Sequence, residues 1–149
     1  MRSFLVLLAA ALLVVQPVMA QMPCPGTWGN PVVSYLGSSQ IGSTFTVTLS
    51  NAYPGSTAIL IVGEDINYCF GLPLPLSMSV FVPGSSCLLG VCPEVLIASQ
   101  VSGFGLTSTS LPVPTNPFLI GFVFYFQWAV VEPSGLLAMS GVLGVQILP

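Results

Sequence analysis

Turn signals divide this chain into short segments. Pro-Gly and other glycine-containing turns recur roughly every 8–12 residues, which is the spacing of antiparallel sandwiches and barrels. The segments between the turns are rich in Val, Ile, Thr, Ser and Phe, and none has a capped helical period. The sequence predicts an all-β fold: one antiparallel β-sandwich, immunoglobulin-like or jelly-roll-like, of about seven to nine short strands.

The clearest strand signal is TFTVTLS at residues 44–50, where apolar residues alternate with Thr and Ser. This period of two indicates a half-buried strand. Pro54 and Gly55 then predict a type II turn, and the apolar run at residues 58–63 predicts a second strand that forms a hairpin with the first. Further strands are expected at residues 71–82 (an edge strand, because it holds two prolines), 94–99, 105–113, 121–131 and 141–148.

The segment GFVFYFQWAVV at residues 121–131 is apolar on both faces when it is read as a strand. This pattern favours a central core strand; an exposed aromatic ligand platform and a membrane contact are the alternatives. Gln127 and the bracketing Pro117 and Pro133 argue against a bilayer helix. The expected core centres on Phe45, Val47, Leu49, Ile59, Ile61, Phe122, Phe124 and Phe126.

The N-terminus has the pattern of a secretory signal peptide. Arg2 precedes an apolar run at residues 4–15, and Pro17 and a small-residue site follow. The run is shorter than a bilayer span. We expect residues 1–20 to be removed after Ala20, which leaves residues 21–149 as one secreted domain, periplasmic or at the cell surface, with no membrane-spanning segment.

Charge is almost absent after residue 20. The remaining chain has no Lys, Arg or His, and its only acids are Glu64, Asp65, Glu94 and Glu132. Nucleic acids and anionic lipid surfaces require cations, so we expect neither as a partner. Serine or cysteine hydrolases need a base such as His. A weakly charged surface also tends to associate, which favours a non-catalytic interaction role.

The even number of cysteines predicts two disulfides in an exported chain. Three pairings are open, and we favour Cys24–Cys87 with Cys69–Cys92. A zinc site is the alternative, although the spacing of Cys87 and Cys92 suits zinc poorly. We expect no metal and no cofactor.

The acids leave two chemical alternatives. A pair made of Glu64 or Asp65 with Glu94 or Glu132 is the minimum for a glycosidase. The oxygen-bearing residues of EDIN at 64–67 offer a weak calcium motif. The competing interpretation is that all four acids only solvate the surface.

Loop aromatics provide the candidate ligand-binding residues. Sugars stack on aromatic rings in many β-sandwiches, and polar side chains fix their hydroxyl groups. The candidate residues are Trp28, Tyr53 and Tyr68, which lie at or beside predicted turns. The hypothesis is that they bind carbohydrate. The alternative is that Trp28 caps the core and Tyr53 is an ordinary turn residue.

Several motifs also resemble a family of uncharacterised small all-β domains of exported bacterial proteins, often found as C-terminal modules of larger secreted chains. The central motif comprises Asn116, Pro117, Leu119, Gly121, Phe124, Tyr125, Gln127, Glu132 and Pro133. Segments similar to the family occur in order at residues 24–26, 41–50, 71–76, 83–89 and 136–147. Glu132 stands where Asp is usual, and Cys69 and Cys92 look like additions. The resemblance implies a β-sandwich and export, and it brings no activity.

These observations predict a non-catalytic secreted or cell-envelope module with an interaction or structural role, whose partner is an envelope or extracellular polymer or protein. A carbohydrate-binding module is the second hypothesis, and a carboxylate-pair glycosidase is the third.

Overall fold

The computed structural model describes residues 23–149, so the predicted leader and its cleavage site lie outside the described residues. The all-β prediction is confirmed, and every ladder between two strands is antiparallel. The strands are β1 (Val32–Gly37), β2 (Thr44–Ser50), β3 (Thr57–Gly63), β4 (Tyr68–Cys69), β5 (Leu72–Pro73), β6 (Leu76–Ser77), β7 (Leu88–Leu89), β8 (Val95–Gln100), β9 (Thr107–Pro112), β10 (Val123–Val131), β11 (Leu137–Met139) and β12 (Leu143–Gln146). Two 3-10 helices, η1 (Met78–Val80) and η2 (Pro117–Leu119), complete the elements.

Two sheets form the body of the fold. One sheet has the strand order β1-β2-β9. The other has the order β8-β3-β10, and β11 and β12 both pair with the far side of β10, where they form the edge of the sheet. Buried side chains from both sheets share one apolar core, which includes Phe45, Val47, Leu49, Ala58, Leu60, Phe126, Trp128 and Val130. The sheets therefore face each other as two layers.

The predicted hairpin of residues 44–50 with residues 58–63 is wrong, although both strands exist. β2 pairs with β1 and β9, whereas β3 pairs with β8 and β10. The apolar faces of β2 and β3 meet across the core from opposite sheets, so the chain must arch between the layers. Residues 51–56 make this arch, in which Ala52 and Ser56 are buried.

β10 is the central strand that the sequence predicts, covered on both faces. Phe126, Trp128 and Val130 face the core between the sheets, while Ala129 faces a second apolar cluster on the outer side. The predicted core is partly wrong. Ile59 and Ile61 pack on the outer side of the sheet, and Phe122 precedes the strand and is half exposed.

A third layer, residues 64–94, covers the outer face of this sheet. Its buried Cys87, Leu89 and Val91 complete the second apolar cluster. The edge strand predicted at residues 71–82 is wrong, because this stretch contains only the short strands β5 and β6 and then η1. Proline has no amide to donate to a ladder, so β5 ends at Pro73 and Pro75 lies outside the strands.

Gln127 joins the third layer to β10. Its side chain is buried, and its Oε1 accepts a hydrogen bond from the Gly90 amide at 2.9 Å. Its Nε2 donates to the carbonyl oxygens of Leu88 and Ser140, each at 3.0 Å. One side chain thus satisfies three backbone groups of two neighbouring segments.

The strands β1 and β11 have no counterpart in the sequence prediction, nor do the two-residue strands β4 and β7. The strand predicted at residues 141–148 corresponds to β12 alone. Ala129 pairs with Met139 and Phe126 pairs with Leu143, so the edge contains one extra residue, a β-bulge. Ser140 lies in this bulge, and its Oγ accepts a hydrogen bond from the Trp128 amide at 2.8 Å.

The disulfides Cys24–Cys87 and Cys69–Cys92 are the pairs favoured from the sequence. The first fastens the N-terminal segment to the third layer, and the second closes that layer on itself. All four cysteines are bonded in this way, so none of them is a zinc ligand.

Candidate binding surface

Trp28 and Tyr53 lie together at one end of the sandwich, beside the arch between β2 and β3. Their ring centroids are 6.3 Å apart, and the ring planes cross at 64°, which is a favourable edge-to-face geometry. Trp28 remains 49% exposed. Two of the three predicted ligand residues therefore form one aromatic pair, in which Trp28 is exposed and Tyr53 is partly buried.

A buried carboxylate holds the turn that carries Trp28. The Thr27 amide donates to Glu132 Oε1 at 2.7 Å, and the Thr27 hydroxyl donates to Glu132 Oε2 at 2.5 Å. Gly26 and Gly29 also exchange backbone hydrogen bonds. A Cβ atom at Gly26 would overlap the Glu132 carboxylate, so the turn can approach this closely only with glycine. Trp28 is thus presented by a fixed turn.

The loop between β8 and β9 supports Trp28 from the other side. Gly105 has a φ of +76°, and a Cβ atom there would lie 3.2 Å from Trp28 Cζ3. The preceding residue, Phe104, is 86% exposed at the tip of the loop. We call the surface of Trp28, Tyr53 and Phe104 the aromatic end.

Asn51 contributes polar groups beside the aromatic end. Its φ of 59° places it in the left-handed region, which asparagine tolerates better than most residues. Its Nδ2 donates to the Asn30 carbonyl oxygen at 2.9 Å, which ties the arch to the segment after Trp28. The side chain remains exposed, so it can still bind a polar ligand group.

Tyr68, the third candidate ligand residue, lies apart from the pair of Trp28 and Tyr53. This side chain is 61% exposed, but it follows the far end of β3, whereas Tyr53 precedes the near end. Because β3 spans Thr57–Gly63, the two ends are about 20 Å apart at 3.3 Å per residue. Tyr68 therefore belongs to a different surface.

The interpretation that all four acids solvate the surface is wrong for Glu132. This residue is only 3% exposed and anchors Thr27, whereas Glu64, Asp65 and Glu94 are exposed. Glu132 and Glu64 follow opposite ends of the β10–β3 ladder, about 20 Å apart along the strands. A glycosidase needs a separation of about 5–9.5 Å, so Glu132 forms no such pair with Glu64.

Asp65 has a local structural role in the far loop. Its Oδ1 accepts hydrogen bonds from the amides of Asn67 at 2.7 Å and Tyr68 at 3.1 Å. These bonds stabilise the ionised carboxylate, so they lower the pKa of Asp65 below its ordinary value. In the weak calcium motif, the Asp65 carboxylate therefore binds backbone amides of its own turn. Within residues 23–149, no three His, Cys, Asp or Glu side chains converge as a metal site.

Neither a family model, nor a curated protein, nor a solved structure gives a significant match to this chain. No helix in residues 23–149 is long and apolar enough to cross a membrane.

Sequence reasoning missed Glu132 as the support of Trp28, and it missed Phe104. A weak signal for Glu132 was present, because it is an acid directly after a long apolar strand. Nothing in the sequence shows that it meets Thr27, since 105 residues separate the two.

Proposed function

We propose that this protein is a non-catalytic secreted module that binds an envelope or extracellular polymer or protein through its aromatic end. The observation that carries the proposal is the half-exposed Trp28 on a turn fixed by the buried Glu132. Rigid exposed aromatics lose little conformational entropy on binding, and tryptophan is enriched among the residues that dominate binding energy.

Several features support the extracellular part of the proposal. The two disulfides fit an oxidising compartment, and the predicted leader would direct export. The resemblance to exported bacterial domains agrees with both. The seven strand positions of the two sheets, with β11 and β12 counted as one broken edge, equal the strand number of an immunoglobulin-like sandwich. We assign the fold to that type over a jelly roll.

The non-catalytic part rests on the chemistry of the described residues. Residues 23–149 contain no His or Lys to serve as a base for a nucleophile. The buried carboxylate of Glu132 is already bound to Thr27.

Carbohydrate binding is the second candidate, favoured by the geometry of the aromatic pair. The rings of Trp28 and Tyr53 are inclined at 64°, so together they form an angled surface rather than a flat one. Such a surface suits a single glycan chain, with one ring stacked on a sugar face. The exposed Asn51 lies close enough to the pair to bind sugar hydroxyl groups.

The test is retention of the oxidised protein on envelope fractions and on insoluble polysaccharides, compared for the wild type, Trp28→Ala and Tyr68→Ala. Tyr68→Ala is the matched control, because it removes an exposed aromatic at the opposite end. We expect Trp28→Ala to weaken retention by about tenfold or more, since hot-spot aromatics contribute about 2 kcal/mol. Unfolding temperatures of all three proteins establish that the variants are folded.

Competition assigns the partner. If soluble oligosaccharides displace the wild type from one polysaccharide, the carbohydrate candidate replaces the general proposal. Retention on the envelope that ignores sugars but depends on Trp28 supports a protein or other polymer as partner. Equal retention of the wild type and Trp28→Ala overturns the role of the aromatic end.

A further inference from the structure

An apolar cavity opens at the end of the sandwich opposite the aromatic end. It lies where the two sheets diverge, between Phe45 and Leu111 of one sheet and Val62 and Phe124 of the other. Its volume is about 290 Å³. Protein interiors contain few voids larger than a water molecule, so an opening of this size between two packed sheets requires an explanation.

The lining of the cavity is made of hydrocarbon side chains. Pro112 and Pro114 line it where β9 ends, and Leu119 of η2 and Ile147 close its other sides. None of these side chains has a hydrogen-bonding group, so the cavity offers water few partners. The surface favours an apolar occupant over a polar one.

Backbone hydrogen bonds fix the segments around the opening. The Val113 amide donates to the Ser43 carbonyl at 2.8 Å, and the Gly42 amide donates to the Val113 carbonyl at 2.9 Å. Across the opening, Gly121 and Phe122 exchange bonds with Ile147 at 2.9 and 2.8 Å. The cavity is therefore built into the fold, as ligand pockets usually are.

The loop beside the cavity extends the apolar surface into solvent. Phe118 and Phe122, on either side of the lining residue Leu119, are 85% and 50% exposed. Exposed apolar residues at a cavity mouth are typical of ligand sites. A ligand that enters the cavity would continue along these rings.

Size and charge specify the ligand. The volume is about twice that of a cavity of roughly 150 Å³ that admits benzene, so it accommodates an alkyl chain or a two-ring hydrocarbon. Residues 23–149 contain no Lys, Arg or His that would bind an anionic head group, and their four acids repel one. We propose that the cavity binds the hydrocarbon part of a small neutral lipid-like molecule, such as a fatty alcohol.

The experiment uses the oxidised protein and the fluorescent two-ring probe 1-aminonaphthalene, which is neutral at pH 8. We expect saturable binding of one probe per chain, displaced by 1-octanol at a concentration at least about tenfold lower than by octanoate at pH 8. A probe that does not bind saturably, or an octanoate that competes as well as 1-octanol, overturns the proposal.

Variants locate the probe. Val62→Phe and Leu111→Phe each replace an aliphatic side chain of the lining with a larger aromatic one. The control, Val80→Phe, makes the same kind of change at a residue that is 71% exposed and outside the lining. We expect the two filling variants to weaken probe binding at least tenfold with unfolding temperatures equal to or above the wild type, because they fill space. The control variant should bind normally.

Two filling variants guard against a folding failure of one of them, since overpacking destabilises some cores. Undiminished probe binding in a folded filling variant overturns the assignment. Trp28→Ala should leave probe binding unchanged because Trp28 lies at the other end, so this proposal and the role of the aromatic end fail separately.

Discussion

Replacing Gln127 with leucine removes the polar junction between β10 and the third layer while it keeps a side chain of similar size. The Gly90 amide and the Leu88 and Ser140 carbonyls lose their hydrogen-bond partner. The bonds to Gly90 and Ser140 are fully buried, while the bond to Leu88 is partly buried. Water can therefore replace the third bond more easily than the other two.

The expected loss follows from these three groups. A buried backbone group without a partner costs about 1–3 kcal/mol, so two such groups and a discounted third give a decrease of about 3–5 kcal/mol in the free energy of unfolding. This is a large fraction of the stability of a typical domain, about 5–15 kcal/mol. Gln146→Leu, at an exposed position of β12, should change it by less than about 0.5 kcal/mol.

Denaturant unfolding of the oxidised proteins measures the difference, with the fluorescence of the buried Trp128 as the signal. Hydrogen exchange of the Gly90 amide provides a local readout, and we expect it to accelerate in Gln127→Leu more than the amides of β2 do. A loss below about 1 kcal/mol together with a still protected Gly90 amide would refute the reasoning.

Gln127→Glu extends the test to pH. Burial and the two facing carbonyl oxygens disfavour the ionised form, so the introduced carboxyl has a pKa in the folded state above that in the unfolded state. Protonation supplies a donor that the carboxylate lacks. The deficit in stability relative to the wild type should therefore be smaller at pH 4 than at pH 7.

Further predictions concern the disulfides and the far loop. Replacing both cysteines of the Cys24–Cys87 pair with alanine should lower the free energy of unfolding by about 4.3 kcal/mol, and the same change in the Cys69–Cys92 pair should lower it by about 3.4 kcal/mol. These values follow from sequence separations of 63 and 23 in the chain-entropy relation. Denaturant titration measures both losses, and a larger loss for Cys69–Cys92 would contradict the prediction. For Asp65, whose pKa is lowered by backbone amides, the stabilisation of its turn is present above the unfolded-state pKa and is lost as pH falls through the lower folded-state pKa. Amide signals of the loop, followed by NMR against pH, should show this loss in the wild type and not in Asp65→Asn.

The sequence predicted elements whose signal is local. The alternation in residues 44–50 specified the strand and its buried face, and the two apolar faces of residues 121–131 specified a covered central strand. The partners of these strands were harder to predict. Pro54 and Gly55 mark a turn equally well in a hairpin and in an arch between sheets, because turn chemistry does not report which sheet the next strand joins.

The candidate site depended even more on distant contacts. Trp28 and Tyr53 come together because residues 26–29 fold against Glu132, a contact without local signal. Tyr68 had the same local appearance as Tyr53, and only the direction of β3 separates them. The sequence could therefore predict that Trp28 and Tyr68 are exposed. It could not predict which aromatic residues come together at the aromatic end.

The bond between Cys24 and Cys87 also has a mechanical consequence. A pulling force applied between the two ends of the described chain enters at Pro23 and reaches Cys24 one residue later. It then passes through the disulfide to Cys87, so β1, β2 and β3 carry no tension while the bond is intact. This covalent shortcut withholds about 200 Å of extension, for a sequence separation of 63 at roughly 3.3 Å per residue. Under force, the oxidised protein would unfold only from Cys87 onward, and reduction of the Cys24–Cys87 bond would add this length to the extended chain.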